Sequence, residues 1–283
     1  MKRFAKVYLE ITNRCNLACT FCPGTARPTR EMGEATFRLL LERLRGWTDY
    51  LYFHLMGEPL CHPELGRFLA LAGEAGFRVI LTTNGVLLPR WGESLLAAPA
   101  LHKVNLSLHA YEANRLPMTL AAYLAGCLDY AAAADGRKLT VCRLWNGGGA
   151  DARNGEILRA LEARFPRPWT EERRGTRLGA TTYLEYGEKF DWPDPAAEDG
   201  GERVFCYGLR DQIGVLCDGT AVPCCLDRDG RMALGDLTAQ GLEDILASPR
   251  AAAILDGFDR GIAREELCRR CGFARQRFPG GKM

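Results

Sequence analysis

Three cysteines occupy positions 15, 19 and 22 in the stretch CNLACTFC. The spacing would align them on one helix face, yet Pro23-Gly24 stops a helix at once and Asn13-Arg14 precede it. A buried stripe of core cysteines therefore does not fit. Structural zinc takes four ligands, usually in separated pairs, and no histidine stands near this loop to complete a set. A 4Fe–4S cube has four irons and each takes one thiolate, so three cysteines on one loop leave one iron open for another ligand.

The chain carries 12 cysteines among 283 residues. A second group is Cys206, Cys217, Cys224 and Cys225, a closing pair is Cys268 and Cys271, and Cys61, Cys127 and Cys142 are scattered. The N-terminus has two early basic residues without a long apolar run, so no signal peptide is expected. No window approaches the roughly 18 apolar residues that span a bilayer, which predicts no membrane partner and a cytoplasmic location. In that compartment clustered thiols bind metal or do redox chemistry more often than they form disulfides. The formal net charge of +2 excludes a general nucleic-acid surface. Hydrophobic residues at 47% and charged residues at 25% describe an ordinary globular chain.

The elements that must position these cysteines alternate. Strands are predicted at 7–11, 49–55, in FRVILTTNG, in KVNLSLHA, at 138–145 and at 181–186. Helices are predicted in ATFRLLLERLRGW, from Pro63 to Gly76, over 119–134 and in GEILRALEARF. The first helix sets Phe37, Leu40, Leu41, Leu44 and Trp47 on one face, and the third sets Leu120, Leu124, Cys127, Leu128 and Ala131 on one face. Strand–helix alternation implies βαβ units and a parallel sheet, with chemistry in the loops that follow the strands. CNLACTFC, MGEP, TTNG and LHA all sit there. Residues 187–203 read as a linker rich in Pro, Gly and acids. Beyond them Asp218-Gly219 signals a hairpin, and GLEDILASPRAAAIL a helix broken near Pro249. The tail is small enough to need a metal. This places a domain boundary near 190, with 1–190 as the main domain and 191–283 as linker and cysteine-rich module.

Cys-x3-Cys-x2-Cys after a first strand resembles the hallmark of the radical S-adenosylmethionine (SAM) superfamily. The resemblance implies an α/β fold, a partial (β/α)6 TIM-like barrel with a small C-terminal cysteine-rich α+β auxiliary-cluster domain. It implies that Cys15, Cys19 and Cys22 hold a 4Fe–4S cluster whose open iron is chelated by SAM. An electron from that cluster then cleaves SAM to a 5′-deoxyadenosyl radical, which abstracts hydrogen from substrate. Gly57-Glu58-Pro59, 35 residues past Cys22, is similar to the family's motif beside the SAM amino group, with Met56 where the family often has a further Gly. Ser107 and Arg143 stand where similar enzymes contact the SAM carboxylate; a structural ion pair is the other reading of Arg143. Asn84 and Asn146 are polar candidates at strand ends, with turn formation as the alternative. His109, just past Ser107, is a candidate catalytic group, and His54, His62 and His102 read as structural. Trp145-Asn146-Gly147-Gly148-Gly149 either approaches a ligand with bare backbone or serves as a flexible connector.

Cys206, Gly219-x4-Cys224 and Cys268-x2-Cys271 resemble the auxiliary-cluster extension of SPASM/Twitch proteins, in its shorter one-cluster form. Four thiolates would saturate one auxiliary 4Fe–4S cluster and make it an electron carrier. Cys217 and Cys225 remain possible substitutes, and a zinc knuckle is the alternative for the set. The function this implies is a radical SAM oxidoreductase of a small molecule, with the auxiliary cluster as electron acceptor. It would be served by a reductant such as flavodoxin or ferredoxin. The alternatives are a peptide-modifying maturase acting on a peptide substrate, against which the first strand near residue 6 leaves no space for a leading recognition domain, and a non-catalytic metal-binding interaction protein. The identity of the substrate and of any general base is not legible.

Overall fold

A computed structural model describes residues 4–149 and 151–277. In chain order the elements are β1 (Lys6–Leu9), α1 (Glu34–Leu44), β2 (Tyr50–Phe53), α2 (Leu65–Glu74), β3 (Arg78–Thr83), α3 (Leu88–Ala97), β4 (Leu101–Ser107), α4 (Leu120–Ala134), β5 (Leu139–Gly147) and α5 (Asn154–Arg164). There follow β6 (Thr170–Glu172), β7 (Gly175–Arg177), β8 (Thr182–Glu188), β9 (Gln212–Val215), β10 (Thr220–Val222), β11 (Gly235–Asp236), α6 (Leu242–Ala247), α7 (Pro249–Asp259), α8 (Glu266–Arg269) and α9 (Gly272–Arg277).

The chain forms two compact units. One holds β1, α1, β2 and everything from β9 onward; the other holds Cys15–Cys22 and Glu58–Lys189, which includes α2 to β8. In the first unit β1 pairs in parallel with β2 and with β9, and β10 and β11 continue antiparallel from β9. Val7 and Leu9 of β1 are fully buried beside Ile213 and Val215 of β9. Helix α1 buries Phe37, Leu40, Leu41 and Leu44, the expected stripe. The β9–β10 hairpin turns at Asp218-Gly219, where Gly219 has φ +94° and an added Cβ would lie 2.5 Å from Thr238. The helical break near Pro249 is at Ser248, whose hydroxyl caps α7 by accepting from the Ala251 N–H.

In the second unit β3, β4, β5 and β8 are parallel neighbours in that order. The predicted strands and helices there are all present. Two elements were not predicted. Helix α3 buries Leu88 and Leu95 and carries Pro89 in its first turn. The β6–β7 hairpin has three residues per strand and pairs antiparallel with the edge of β8. The glycine-rich connector reading fails at its start: Trp145, Asn146 and Gly147 belong to β5, and Gly147 pairs with Glu188. The linker after β8 is likewise packed in part, with Phe190 5.7 Å from Trp192 and 5.2 Å from Phe273 between ring centroids. Among the described residues no helix is long and apolar enough to cross a membrane.

Candidate metal centres

The first cysteine loop is irregular, as Pro23-Gly24 requires, and turns on a Cys22 N–H bond to the Cys19 carbonyl. Cys15 and Cys22 are exposed and Cys19 is half-buried. Neighbouring segments grip the loop. The Thr20 N–H donates to the Ala113 carbonyl at 3.1 Å. Asn114 accepts from the Ala18 N–H at 3.1 Å and donates from Nδ2 to Cys19 Sγ at 3.1 Å. Asn84 donates to Asn16 Oδ1 at 2.8 Å and holds its Nδ2 4.0 Å from Cys15 Sγ. Burial pushes the Cys15 thiol up to about 11, and the negative potential of Glu58, Cys19 and Cys61 adds to it. Cys61, scattered in the sequence, thus lies near enough to be felt at Cys15. Burial also raises Cys19, and the Asn114 bond pulls it back.

The GEP motif has a conformational reason for its glycine. Gly57 has φ +76°, and an added Cβ would sit 2.4 Å from the Thr12 carbonyl oxygen, so no other residue fits. Pro59 starts a 3-10 turn over Pro59–Cys61. Glu58 turns its side chain inward, where it is 2% exposed. Its Oε2 accepts from the Asn84 N–H at 2.7 Å and its Oε1 from the Leu60 N–H at 3.0 Å. Burial dominates and pushes its carboxyl up from 4.5 to about 7. The acidic side chain is therefore the strut of the motif.

At the end of β4, Ser107 offers its carbonyl to the Tyr123 hydroxyl, 3.4 Å away. His109 is buried, its ring 5.1 Å from that of Phe21 in the cysteine loop. Its Nδ1 lies 3.1 Å from the Arg143 carbonyl and 3.3 Å from the Trp145 amide nitrogen, so the ring ties β4 to β5. Burial holds its pKa below the ordinary histidine value. Arg143 donates from Nε to Glu185 on the adjoining strand at 2.9 Å and lies over the Trp145 ring at 4.3 Å. Asn146 exchanges side-chain bonds with Asn154 at the start of α5, at 2.9 and 3.1 Å. Asn84 also closes its own turn by accepting from the Val86 N–H. His62 is buried, its ring 4.5 Å from Phe68.

The second group lies wholly in the other unit. Cys206 precedes β9, Cys224 follows β10, Cys268 lies in α8 and Cys271 follows it. Burial raises the Cys224 thiol most, and Cys206, Cys225, Cys268 and Cys271 raise it further. Cys268 is raised by burial and then by Cys206 and Cys271. Cys271 is pushed up to about 11 by burial, with Cys206 adding to it. The four thiols therefore share one neighbourhood. Cys225 acts on Cys224 as well and is hydrogen-bonded to Tyr8, while Cys217 lies against Glu10 and Arg27. Burial and Glu10 push Cys217 up to about 12, and the Arg27 guanidinium lies 3.8 Å from its sulfur.

The sequence reading missed Glu10. Fully buried at the end of β1, it accepts from Arg27 Nη2 at 2.8 Å, from the Met56 N–H at 3.1 Å and from the Cys217 N–H at 3.2 Å. A carboxylate in the apolar run VYLEI is a signal that could have found it, since a buried charge needs a partner. Among the described residues no three His, Cys, Asp or Glu side chains are gathered for a single metal ion. The donor sets still suit iron–sulfur clusters, in which each thiolate serves its own iron. None of the seven cysteines considered forms a disulfide, and Cys19 already accepts an amide N–H of the kind that supports a cluster sulfur.

Residues 9–126 match the Radical SAM superfamily, and residues 206–272 match the iron–sulfur cluster-binding domain called SPASM. The chain therefore carries a radical SAM domain followed by a C-terminal SPASM domain. The first domain implies a 4Fe–4S cluster and SAM, and the second implies auxiliary iron–sulfur ligation. Over 278 residues, 95% of this chain and 93% of the other, it is 28% identical to the S-adenosyl-L-methionine-dependent 2-deoxy-scyllo-inosamine dehydrogenase of Niallia circulans. The structure of BtrN in complex with AdoMet and 2-DOIA aligns with a TM-score of 0.60 at 18% identity, over 96% of this chain and 94% of that one. Native anSMEcpe with bound AdoMet and Kp18Cys peptide aligns at 0.63 and 13% identity, over 95% and 89%. The expected fold class, a partial (β/α)6 barrel with a cysteine-rich C-terminal domain, is the one these neighbours share.

Proposed function

We propose that this chain is a radical SAM oxidoreductase that oxidises a hydroxyl-bearing carbon of a small ring compound. Cys15, Cys19 and Cys22 hold the cluster that binds SAM. Cys206, Cys224, Cys268 and Cys271 hold one auxiliary 4Fe–4S cluster. The observation that carries this reading is the likeness, along nearly all of both chains, to a dehydrogenase of 2-deoxy-scyllo-inosamine. When bound, these groups supply reductive cleavage of SAM to the hydrogen-abstracting 5′-deoxyadenosyl radical, and an acceptor for the second electron of the oxidation.

The chain's own residues hold and orient. Gly57, Glu58 and Pro59 shape a backbone turn for the SAM amino group, with the Glu58 carboxylate fixing the turn from within. Asn84 and Asn114 fasten the cysteine loop. Ser107, Arg143 and Asn146 line the strand ends offered to SAM, with Arg143 oriented by Glu185 and Trp145. His109 bonds the β5 backbone through Nδ1, at the Arg143 carbonyl or the Trp145 N–H according to its tautomer, a positioning role. Four thiolates leave the auxiliary cluster no open iron, so it carries electrons and does not bind substrate. The functional domains are 1–190 and 191–283, the location is cytoplasmic, and the reductant is a flavodoxin or ferredoxin. The second reading, a peptide-modifying maturase, keeps the same cofactors and draws support from the fold shared with a protein solved with bound peptide.

The test is incubation of anaerobically reconstituted protein with SAM, dithionite and a panel of aminated and hydroxylated ring alcohols. The expected outcome is a ketone formed with 5′-deoxyadenosine. A Cys268→Ala/Cys271→Ala variant should still release 5′-deoxyadenosine and yield little ketone. Full ketone yield from that variant, with its circular dichroism intact and about four irons left, would overturn the acceptor role. Wild type that binds SAM but never cleaves it under reduction refutes the enzyme reading. Modification of a peptide and of no alcohol selects the maturase.

A further inference from the structure

Asn114 makes three side-chain contacts, two of them to the first cysteine loop. Its Nδ2 donates to Cys19 Sγ at 3.1 Å and to the Ala110 carbonyl at 2.7 Å, while its Oδ1 accepts from the Ala18 N–H at 3.1 Å. The orientation of the amide follows from its partners. Flipped, it would set an oxygen against a sulfur and a carbonyl, and an NH2 against an N–H. The segment that carries it is itself fixed: the Asn114 N–H donates to the Tyr111 carbonyl, and the Ala113 carbonyl accepts from Thr20. Asn84, across the loop, does less at sulfur: its Nδ2 donates at 2.8 Å to Asn16 Oδ1 and reaches Cys15 Sγ only at 4.0 Å.

We propose that Asn114 is a positioning residue that tunes the first cluster, its Nδ2–H drawing charge from the Cys19 thiolate and so raising the cluster's reduction potential. The inference rests on Cys19 being a cluster ligand. Reduction adds an electron to iron and sulfur, so an N–H aimed at the sulfur favours the reduced state more than the oxidised one. Oδ1 contributes separately by holding the loop's backbone at Ala18. The two ends of one carboxamide can therefore be tested apart. Asn114→Asp keeps an acceptor for the Ala18 N–H, removes the donor to sulfur and sets a negative charge beside it. Asn114→Ala removes both ends without adding charge.

The experiment is a redox titration of the holoenzyme followed by electron paramagnetic resonance, with iron counted per chain. The signal of the first cluster is the one missing from a Cys15→Ala/Cys19→Ala/Cys22→Ala variant. With iron content as in wild type, Asn114→Asp should lower the reduced-to-oxidised ratio at a fixed potential about tenfold, which for one electron is about 59 mV. Asn114→Ala should lower it less, by a few-fold. Full iron with an unmoved potential in both variants overturns the proposal. Loss of the first cluster from both, with the auxiliary signal intact, also overturns tuning and leaves Asn114 only as a clamp. A triple cysteine variant that keeps all its iron would instead sink the ligand assignment on which the inference rests.

Discussion

Glu58→Gln isolates what burial of the motif's carboxylate costs. The side chain is 2% exposed and each oxygen accepts one backbone N–H, from Asn84 and from Leu60. Burial outweighs those bonds and moves its pKa from 4.5 to about 7. A folded pKa above the unfolded one means that the folded chain binds the proton more tightly. This contribution to stability is therefore fully present below about pH 4.5 and is lost as pH rises through 7. A gap of about 2.5 units at about 1.4 kcal/mol each amounts to about 3.5 kcal/mol in all, of which about 2.5 kcal/mol is lost between pH 5 and pH 8. The amide of the variant cannot ionise, so it does not suffer this loss. It also resembles the neutral acid in having one good acceptor for two N–H groups, which keeps the two proteins comparable at low pH. With a urea m-value of about 2 kcal/mol/M, the midpoint of the variant should gain about 1.3 M on wild type between pH 5 and pH 8. The assay is urea unfolding of cluster-free, reduced protein followed by circular dichroism. Burial keeps Cys15 at about 11, so its thiol does not titrate in that window. Parallel midpoints at both pH values would refute the argument, because they would mean that Glu58 ionises as it would in water.

Two further outcomes follow from the same geometry. Reconstituted wild type should carry about eight irons per chain, and Cys15→Ala/Cys19→Ala/Cys22→Ala should lose about half of them together with all 5′-deoxyadenosine formation; unchanged iron, or zinc in its place, would sink the two-cluster assignment. Glu10→Ala strands the Arg27 guanidinium and two backbone N–H groups, and should lower stability by about 3–5 kcal/mol in urea unfolding. A loss below about 1 kcal/mol would show that the pair holds little.

What the sequence made legible is what periodicity and spacing encode. The stripe Phe37, Leu40, Leu41, Leu44 announced α1, and all four are buried. The Asp218-Gly219 pair announced the hairpin because only a positive φ closes it. Helix α3 was legible too and was passed over: Pro89 opens it, and Leu88 and Leu95 recur seven residues apart on its buried face. The pairing of β1 with β9, by contrast, was hidden. It joins residues more than two hundred apart, and no local pattern records such a contact. At the candidate site the cysteines and Gly57 could be read because their chemistry tolerates few substitutes. Asn114 could not, since one asparagine in a polar stretch looks like any turn residue until the fold sets it beside Cys19. Arg143 was read as either a ligand for carboxylate or an ion pair; the structure supplies Glu185 as partner, and the ligand role remains a proposal.

The difference between the two cysteine groups follows from valence and access together. Three thiolates leave one iron without a protein ligand, and that vacancy is useful only where a small molecule can reach it. Cys15 and Cys22 are accordingly exposed, and the loop that bears them is held by hydrogen bonds from flanking asparagines instead of by a covering core. Four thiolates leave no vacancy, so nothing needs to reach the metal. Cys271 is buried and the other three members of that set are half-buried. Burial raises their thiol pKa values, as it also does at Cys15 and Cys19, a cost that metal ligation reverses by deprotonating them, so cluster loading and folding of the C-terminal module should be coupled. The first loop is instead anchored by Asn114 and Asn84 through bonds that do not need the metal. Iron removal should therefore loosen the C-terminal module before it loosens the β3–β8 unit. Hydrogen exchange on the chelated protein would show this as faster amides from β9 onward, and equal loss of protection in both units would contradict it.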